Sequence, residues 1–443
     1  MGKFARRKTL TSFQVIILGF ACAILLGALL LMLPISSQER HMTSFLDSLF
    51  TSTSAVCVTG LVLHDTATYW SAFGQAVILI LIQIGGMGVV TVAVSFAMIS
   101  GRKISLMQRS TMQEAIAAPK VGGIVRLTGF IIQMTLVFEL IGAVLMGPVF
   151  CRDFGIRGIW MALFHSISAF CNAGFDLMGV RGEFSSLTTY ADNPAITLTI
   201  MALIIIGGIG FLTWDDIHIN KWHIRRYRMQ SKVILTTTAV LLVIPAVVFF
   251  SFEFQTLPLG ERILKSLFQA VTPRTAGFNT ADLTVMSESA QFIIIVLMLI
   301  GGSPGSTAGG MKTTTIAVMI GNALAVFRRK EDAHFFGRRI EEDAVRTAAT
   351  VFSMYVMLPV IGGLVISMAE HQPILICLFE TASAIGTVGL TLGLTQSLGV
   401  ISQLILIGLM FFGRVGGLTL IFAALSGARK NVSRLPQEKI TVG

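Results

Sequence analysis

One short phrase occurs four times in this chain, each time between two stretches long and apolar enough to cross a bilayer. The copies are Leu49–Leu61 (LFTSTSAVCVTGL), Leu163–Phe175 (LFHSISAFCNAGF), Leu267–Phe278 (LFQAVTPRTAGF) and Leu378–Leu390 (LFETASAIGTVGL). Set on Gly60, Gly174, Gly277 and Gly389, successive copies lie 114, 103 and 112 residues apart. A near-constant period of this size marks a repeated supersecondary unit. The chain therefore divides into units 1–100, 101–220, 221–330 and 331–443. Each reads as span, re-entrant loop, span; the third has an interrupted last helix and the fourth ends in a tail.

The spans follow from where charge is missing. Of 443 residues, 54% are apolar and only 13% charged, about half the charged share of an ordinary soluble domain. Uncharged intervals include 9–38, 66–101, 193–214, 233–252, 289–311, 347–369 and 381–413, with 127–151 broken only by Glu139. A crossing needs about 20 apolar residues, which predicts eight spans near 14–34, 73–98, 126–150, 193–213, 232–252, 289–327, 346–369 and 397–426. The N-terminal KFARRK before an apolar run resembles a signal peptide. The run continues to Pro34 without a small-residue cleavage pattern, so it reads as a retained first span.

A net charge of +10 raises the question of nucleic acid, and its placement answers no. The basic groups are Lys3, Arg6, Arg7 and Lys8; Arg102, Lys103, Arg109, Lys120 and Arg126; Lys221, Arg225, Arg226, Arg228 and Lys232; Arg328, Arg329, Lys330, Arg338, Arg339 and Arg346; and Arg429, Lys430, Arg434 and Lys439. They occupy every second connection, as the positive-inside rule demands of an even number of spans with both termini in the cytoplasm. The opposite connections carry Asp47, Asp65, Asp176, Glu183, Glu261 and Asp282. Five cysteines (Cys22, Cys57, Cys151, Cys171, Cys377) sit mostly in spans or phrases and give neither a disulfide framework nor a metal pair.

The phrase itself predicts a short helix running out into small residues and then an extended stretch. Ser44 is placed to cap the first such helix, with Asp47 in its opening turn. Phe50, Phe164, Phe268 and Phe379 would wedge the four helices among the spans. Beyond them come Val58-Thr59-Gly60, Asn172-Ala173-Gly174, Thr275-Ala276-Gly277 and Thr387-Val388-Gly389, whose backbone carbonyls would face one axis. Helix C-termini aimed at that axis favour a cation. A second echo follows in each unit: Gly85-Gly86-Met87-Gly88, Gly207-Gly208-Ile209-Gly210, Gly301-Gly302-Ser303-Pro304-Gly305 and Gly413-Arg414-Val415-Gly416 begin 25, 33, 24 and 24 residues after their filter glycines. The same helix of every unit should bend or pack closely at one depth. The expected fold is an all-α polytopic membrane protein with pseudo-fourfold symmetry around one ion pore.

These residues carry a family resemblance. MLPISS at 32–37, HSISAFCNAGF at 165–175, AVTPRTAGFN at 270–279, GGSPGSTAGGMKTTT at 301–315 and GTVGLTLGLT at 386–395 are similar to the membrane subunit of Trk/Ktr-type bacterial potassium uptake systems, relatives of the plant HKT transporters. The resemblance covers nearly the whole chain. It implies that the twelve residues of the four triplets line a K⁺ filter. It further implies that Gly301, Gly302, Ser303, Pro304, Gly305, Ser306, Thr307, Ala308, Gly309 and Gly310, with Lys312 beside them, form an intramembrane gate, and that Arg414 is an electrostatic barrier. A homodimer in the bacterial cell membrane, docked on a cytosolic nucleotide-binding ring of the RCK type, is implied as well. The chain itself calls for no cofactor; the resemblance implies K⁺ as the transported ion and leaves Na⁺ open as activator or coupled ion. Cys57 and Cys171 in the first two phrases depart from the pattern and add oxidant sensitivity at most.

Residues 301–315 also imitate catalytic motifs. Gly301–Gly305 fits a G-x-S-x-G elbow, but both flanks are membrane-length apolar runs where the elbow needs a strand and a helix. A P-loop needs Gly-Lys-Ser/Thr, and Met311 separates Gly310 from Lys312. Arg414 and Glu139 are charges deep in apolar spans, where function or a partner is the default. Arg274 would either brace the third loop through carbonyls or sit solvated in the vestibule, while His64 and His165 lack a second ligand and read as structural. A channel-like potassium uptake pore is the reading; the alternatives are a Na⁺- or H⁺-coupled symporter and an intramembrane hydrolase using Ser303 and His165.

Overall fold

A computed structural model of the chain describes residues 11–100, 104–116, 122–424 and Glu438. Lys3, Arg6, Arg7, Lys8, Arg102, Lys103, Lys120, Arg429, Lys430, Arg434 and Lys439 of the predicted basic clusters lie outside the described residues.

Four helices are each long and apolar enough to cross a bilayer: Ser12–Leu31, Ile124–Phe154, Met229–Glu253 (its last turn a π-helix) and Glu342–Glu370. Their outward faces are as apolar as their inward ones. On the first, Leu18, Leu25, Leu26 and Leu29 are exposed while Ile16, Phe20, Ile24 and Leu31 are buried. An all-round apolar helix with one exposed side is soluble only in lipid. Each long helix is followed by a short one, Phe45–Cys57, Arg157–Phe170, Leu259–Val271 and Ile374–Gly386. Ser44 caps the first, accepting from the amide of Asp47 at 3.1 Å, as its sequence predicts. Phe50, Phe164, Phe268 and Phe379 are all fully buried. The fourth residue of the phrase ties the short helix to the long one before it. Ser52 donates to the carbonyl of Ile24 (2.7 Å), Ser166 to that of Glu139 (2.6 Å) and Thr381 to that of Pro359 (2.9 Å). The third phrase has Ala270 there and lacks the bond.

The second crossing of each set is not one continuous helix, as expected for the interrupted third and not for the spans 73–98 and 397–426. Ala72–Met87 turns by 97° into the helix that starts at Val89, and Pro194–Gly208 by 96° into Phe211–Asn220. Glu288–Leu299 and Thr313–Phe327 are separated by a loop, and Val400–Val415 breaks before Gly417–Ala424. The turns are made at Gly88, Gly210 and Gly416, with φ of 84°, 93° and 89°. Those angles are open to glycine and strained for any residue with a Cβ. Hydropathy alone cannot see such bends, which is why 73–98 and 397–426 read as single spans. A further helix, Leu106–Ile116, lies between the helix starting at Val89 and Ile124–Phe154 and buries Thr111, Met112 and Ile116.

Candidate functional site

The extended triplets begin where the short helices end, and the ends are alike. Val58, Asn172 and Thr387 close their helices in the left-handed region, at φ of 58°, 58° and 52°, and Thr275 takes 65°. In three of the four, paired bonds lock the turn: the amides of Val58 and Thr59 donate to Ala55 and Ser54, those of Asn172 and Ala173 to Ala169 and Ser168, and those of Thr387 and Val388 to Ala384 and Ser383, at 2.8–3.1 Å. A non-glycine residue held left-handed costs about 1–2 kcal/mol, and strain over-determined in this way points to function. The third residue of each triplet is the glycine, again at positive φ: 94°, 70°, 79° and 92° for Gly60, Gly174, Gly277 and Gly389.

The four glycines meet in cyclic order. A methyl built on Gly60 would lie 2.5 Å from the carbonyl oxygen of Ala173, and one on Gly174 2.7 Å from that of Ala276. One on Gly277 would strike the carbonyl of Val388, and one on Gly389 that of Thr59. Each loop thus abuts the carbonyl of the next, and the circle closes. Side-chain hydroxyls at one place in every phrase hold the loops: Ser54 and Ser383 accept from the amides of Gly60 and Gly389 at 3.0 Å, while Ser168 and Thr272 donate to the carbonyls of Phe175 (2.6 Å) and Phe278 (2.5 Å). The hydroxyls of Thr59 and Thr387 are buried without a partner among the described residues. Outside the ring, Gly60, Gly174, Gly277 and Gly389 border one cavity of about 110 Å³ with Asp65 and Asp176. That volume holds roughly three or four waters.

The loop after Leu299 packs against the inner side of this ring. It is a closed turn: the amides of Gly301, Gly302 and Thr313 donate to Met311 (2.8 Å), Gly309 (3.4 Å) and Gly302 (3.0 Å). The glycine break of the second unit receives it. The amides of Ser303 and Thr307 donate to the carbonyls of Gly208 and Gly207, and the carbonyl of Gly305 accepts from Phe211 at 2.6 Å. Thr307 Oγ1 donates to the carbonyl of Phe170 at 2.9 Å and lies 3.3 Å from Asn172 Oδ1. Asn172 in turn donates to the carbonyl of Arg274 at 3.3 Å. On the opposite side a methyl on Gly310 would lie 2.9 Å from the carbonyl of Gly386. Lys312 Nζ donates to Ala308 (2.9 Å) and Gly309 (3.3 Å).

Arg414 bridges this loop to the first unit. Its guanidinium donates to the carbonyls of Thr307 and Gly85, and to that of Gly86 at 3.1 Å. Carbonyls, not a carboxylate, share the charge. Arg274 does not brace its own loop as its sequence suggests: its side chain is buried and reaches Thr238 in the preceding span at 3.4 Å. Glu139 faces Gln83 and Cys171 in the packing between units. His64 pairs with Asp47 (3.2 Å) and stacks on Tyr69. Ser303 and His165 form no dyad. Ser303 Oγ is bonded to Thr313 Oγ1, and both nitrogens of His165 face backbone, at Met161 and Leu177. Sequence reasoning missed the helix Leu106–Ile116, whose last carbonyl meets Gly305. It also missed the Asn172–Thr307 link, a contact across 135 residues that no local pattern signals.

Comparison with known proteins bears on the whole chain. The family model described as TrkH, cation transport protein, matches residues 4–433. The potassium/sodium uptake protein NtpJ of Enterococcus hirae is 40% identical over 99% of this chain and 98% of its own length. The Ktr system potassium uptake protein B of Bacillus subtilis is 38% identical over 97% of this chain and 96% of its own. In fold, the crystal structure of the potassium transporter TrkH from Vibrio parahaemolyticus superposes with a TM-score of 0.74 at 20% identity, covering 95% of this chain and 86% of that one.

Proposed function

This chain belongs to the TrkH family of cation transport proteins, and we propose that its potassium uptake runs through a pore on the axis of the four glycines. In this reading the units 1–100, 101–220, 221–330 and 331–443 are copies arranged around that axis. K⁺ sheds its water into the carbonyls of Val58-Thr59-Gly60, Asn172-Ala173-Gly174, Thr275-Ala276-Gly277 and Thr387-Val388-Gly389, and the hydroxyls of Thr59 and Thr387 offer further oxygen. The single observation that carries the proposal is the closed circle of glycines, each against its neighbour's carbonyl. Irregular backbone at membrane depth is tolerated where it is enclosed by protein or lines a path for water and ions.

Residues 301–310, with Lys312, are the gate in this proposal. Arg414 acts as both barrier and latch, because the same guanidinium that would repel a cation also holds Thr307. Both termini face the cytoplasm, and the protein works as a homodimer on a cytosolic nucleotide-binding ring. The exposed inner connection around Trp222, Arg225 and Arg226 supports such docking. The relatives' names, one a Ktr system component and one a potassium/sodium uptake protein, are in keeping with a partner and with Na⁺ as a second ion.

Rubidium uptake, with Na⁺ as competitor, in a host lacking its own potassium uptake tests the proposal. Saturable uptake that Na⁺ leaves largely intact is expected from wild type, and loss of that discrimination from Gly60→Ser. Equal competition by Na⁺ in wild type would remove the filter.

A further inference from the structure

The third residue of the repeated phrase is different in each copy: Thr51, His165, Gln269 and Glu380. All four side chains are buried, none more than 1% exposed. Three of them do the same thing. Each reaches forward ten to fifteen residues, past the filter triplet, to the segment that leaves it on the outer side. His165 Nε2 accepts from the amide of Leu177 at 3.3 Å. Gln269 Nε2 donates to Asn279 Oδ1 at 3.1 Å, and the same oxygen accepts from the amide of Ala281. Glu380 holds most: Oε1 accepts from the hydroxyl of Thr391 (2.5 Å) and the amide of Leu392 (3.2 Å), and Oε2 from the hydroxyl of Thr395 (2.5 Å). Thr51 is too short to reach, and its hydroxyl is buried without a partner among the described residues.

We infer that His165, Gln269 and Glu380 are positioning residues that set the ion discrimination of the pore by clamping the outer ends of three filter loops, and that the first loop, above Thr51, is the adaptable quadrant. The inference rests on the filter reading above. Its physical basis is that a triplet is fixed in space only if both ends are. The inner ends are fixed by the helix-closing turns, with paired bonds in three of the four loops, and a Ser/Thr hydroxyl holds each loop at its glycine or the residue after it. The outer ends are fixed unequally: through hydrogen bonds to an acid in the fourth loop, neutral bonds in the second and third, and none from this position in the first. Bonds to a buried acid are the strongest of these to lose. Carbonyls held at fixed separation tell K⁺ from Na⁺; carbonyls free to close in suit the smaller ion as well.

The test is the K⁺/Na⁺ preference and the apparent KM for K⁺ of reconstituted full-length protein, with Gly277→Ser as reference. Glu380→Ala should lower the preference about tenfold and Gln269→Ala about threefold, through KM for K⁺ more than through maximal flux. Glu380→Gln, which keeps an acceptor for Leu392, should fall between Glu380→Ala and wild type. Thr51→Val, which removes a hydroxyl that bonds nothing, should leave the preference unchanged. If Glu380→Ala does not assemble, the graded order of Glu380→Gln, Gln269→Ala and Thr51→Val decides. Unchanged preference in folded Glu380→Gln and Gln269→Ala, or a loss in Thr51→Val equal to theirs, overturns the clamp. If Gly277→Ser also keeps full preference, it is the filter reading that has failed; if Gly277→Ser loses it, the clamp alone has failed.

Discussion

The loop at 301–310 reaches the second triplet through Thr307 and Asn172 and shares the small residues of the four triplets, but the balance of their anchoring differs. A triplet is anchored by its own phrase: the helix turn behind it, a hydroxyl six or seven residues from the atom it bonds, a fully buried Phe. Its neighbours are backbone carbonyls that leave no room for a Cβ. Besides its own closing bonds, the loop is anchored by other units, through the carbonyls of Gly207, Gly208 and Phe170, the amide of Phe211 and the guanidinium of Arg414. Single neutral hydrogen bonds are worth about 0.5–1.5 kcal/mol net, so a handful can be exchanged for a binding energy of a few kcal/mol. In the proposed pore, local anchoring suits the filter and anchoring across units suits the gate.

The sharpest way to break this comparison is at Gly60. A side chain there meets the carbonyl of Ala173 in the second loop, and φ of 94° strains it as well, even where the first loop is the adaptable one. Gly60→Ser is expected to reduce K⁺ over Na⁺ discrimination by up to about a hundredfold, the 2–3 kcal/mol of a displaced close contact. Isotope uptake with both ions measures it. Wild-type discrimination in an expressed variant would mean that this loop yields as readily as the gate.

Shortening the proposed gate comes next. Deleting several residues within Ser303–Gly310 removes the plug and its bonds to the second unit. Flux should rise some tens of times and depend less on the proposed cytosolic partner, while discrimination is retained because the triplets keep their own anchors. Partner dependence that survives the deletion would make the segment a mere helix break.

Arg414→Gln should give a smaller effect. At an effective dielectric of ~20 and a distance of ~6 Å a guanidinium repels a cation by about 3 kcal/mol. Three carbonyls now seen to share the charge reduce that, so about a tenfold gain in flux is expected, with K⁺/Na⁺ preference intact. A folded variant with unchanged flux would leave Arg414 a packing residue.

Much of this division was legible in the sequence. The phrase predicted the short helices, the buried Phe and the triplets, and the second glycine echo predicted where the later helices give way. Two things were hidden for physical reasons. Left-handed backbone is signalled by glycine or asparagine, and Val58, a β-branched residue, gives the reverse signal, so the helix-closing turn needs its tertiary lock to exist at all. Hydropathy reports depth and not direction, so the glycine echo marked the breaks at Gly88 and Gly210 without their angles of 97° and 96°. Arg274 misled because an arginine beside a loop suggests the loop, whereas its long side chain reaches back to Thr238.

The smallest expected effect lies at the outer mouth and separates the filter from the charge in front of it. Asp176 borders the cavity outside the four glycines and is partly buried. Loss of water under its loop pushes its carboxyl up, to about 7, with neighbouring Asp65 adding to the rise; bonds from the amide of Met178 and from Ser186 oppose it. The group is therefore mostly neutral at pH 6 and mostly anionic at pH 8. A folded-state value above the ordinary one means the folded protein binds the extra proton between about pH 4 and 7, so stability falls as pH rises through that window. Cation attraction runs the other way. An anion roughly 8 Å from an entering ion, half screened by water, attracts it by about 0.5–1 kcal/mol, so the apparent KM for K⁺ should fall about two- to fivefold from external pH 6 to 8 at low ionic strength. Asp176→Asn keeps an oxygen for Met178 and loses the charge; it should hold the pH 6 value of KM across the range, with K⁺/Na⁺ preference unchanged. A pH step that persists in Asp176→Asn would assign the titration to another group, and a change in preference would place Asp176 in the discrimination step itself.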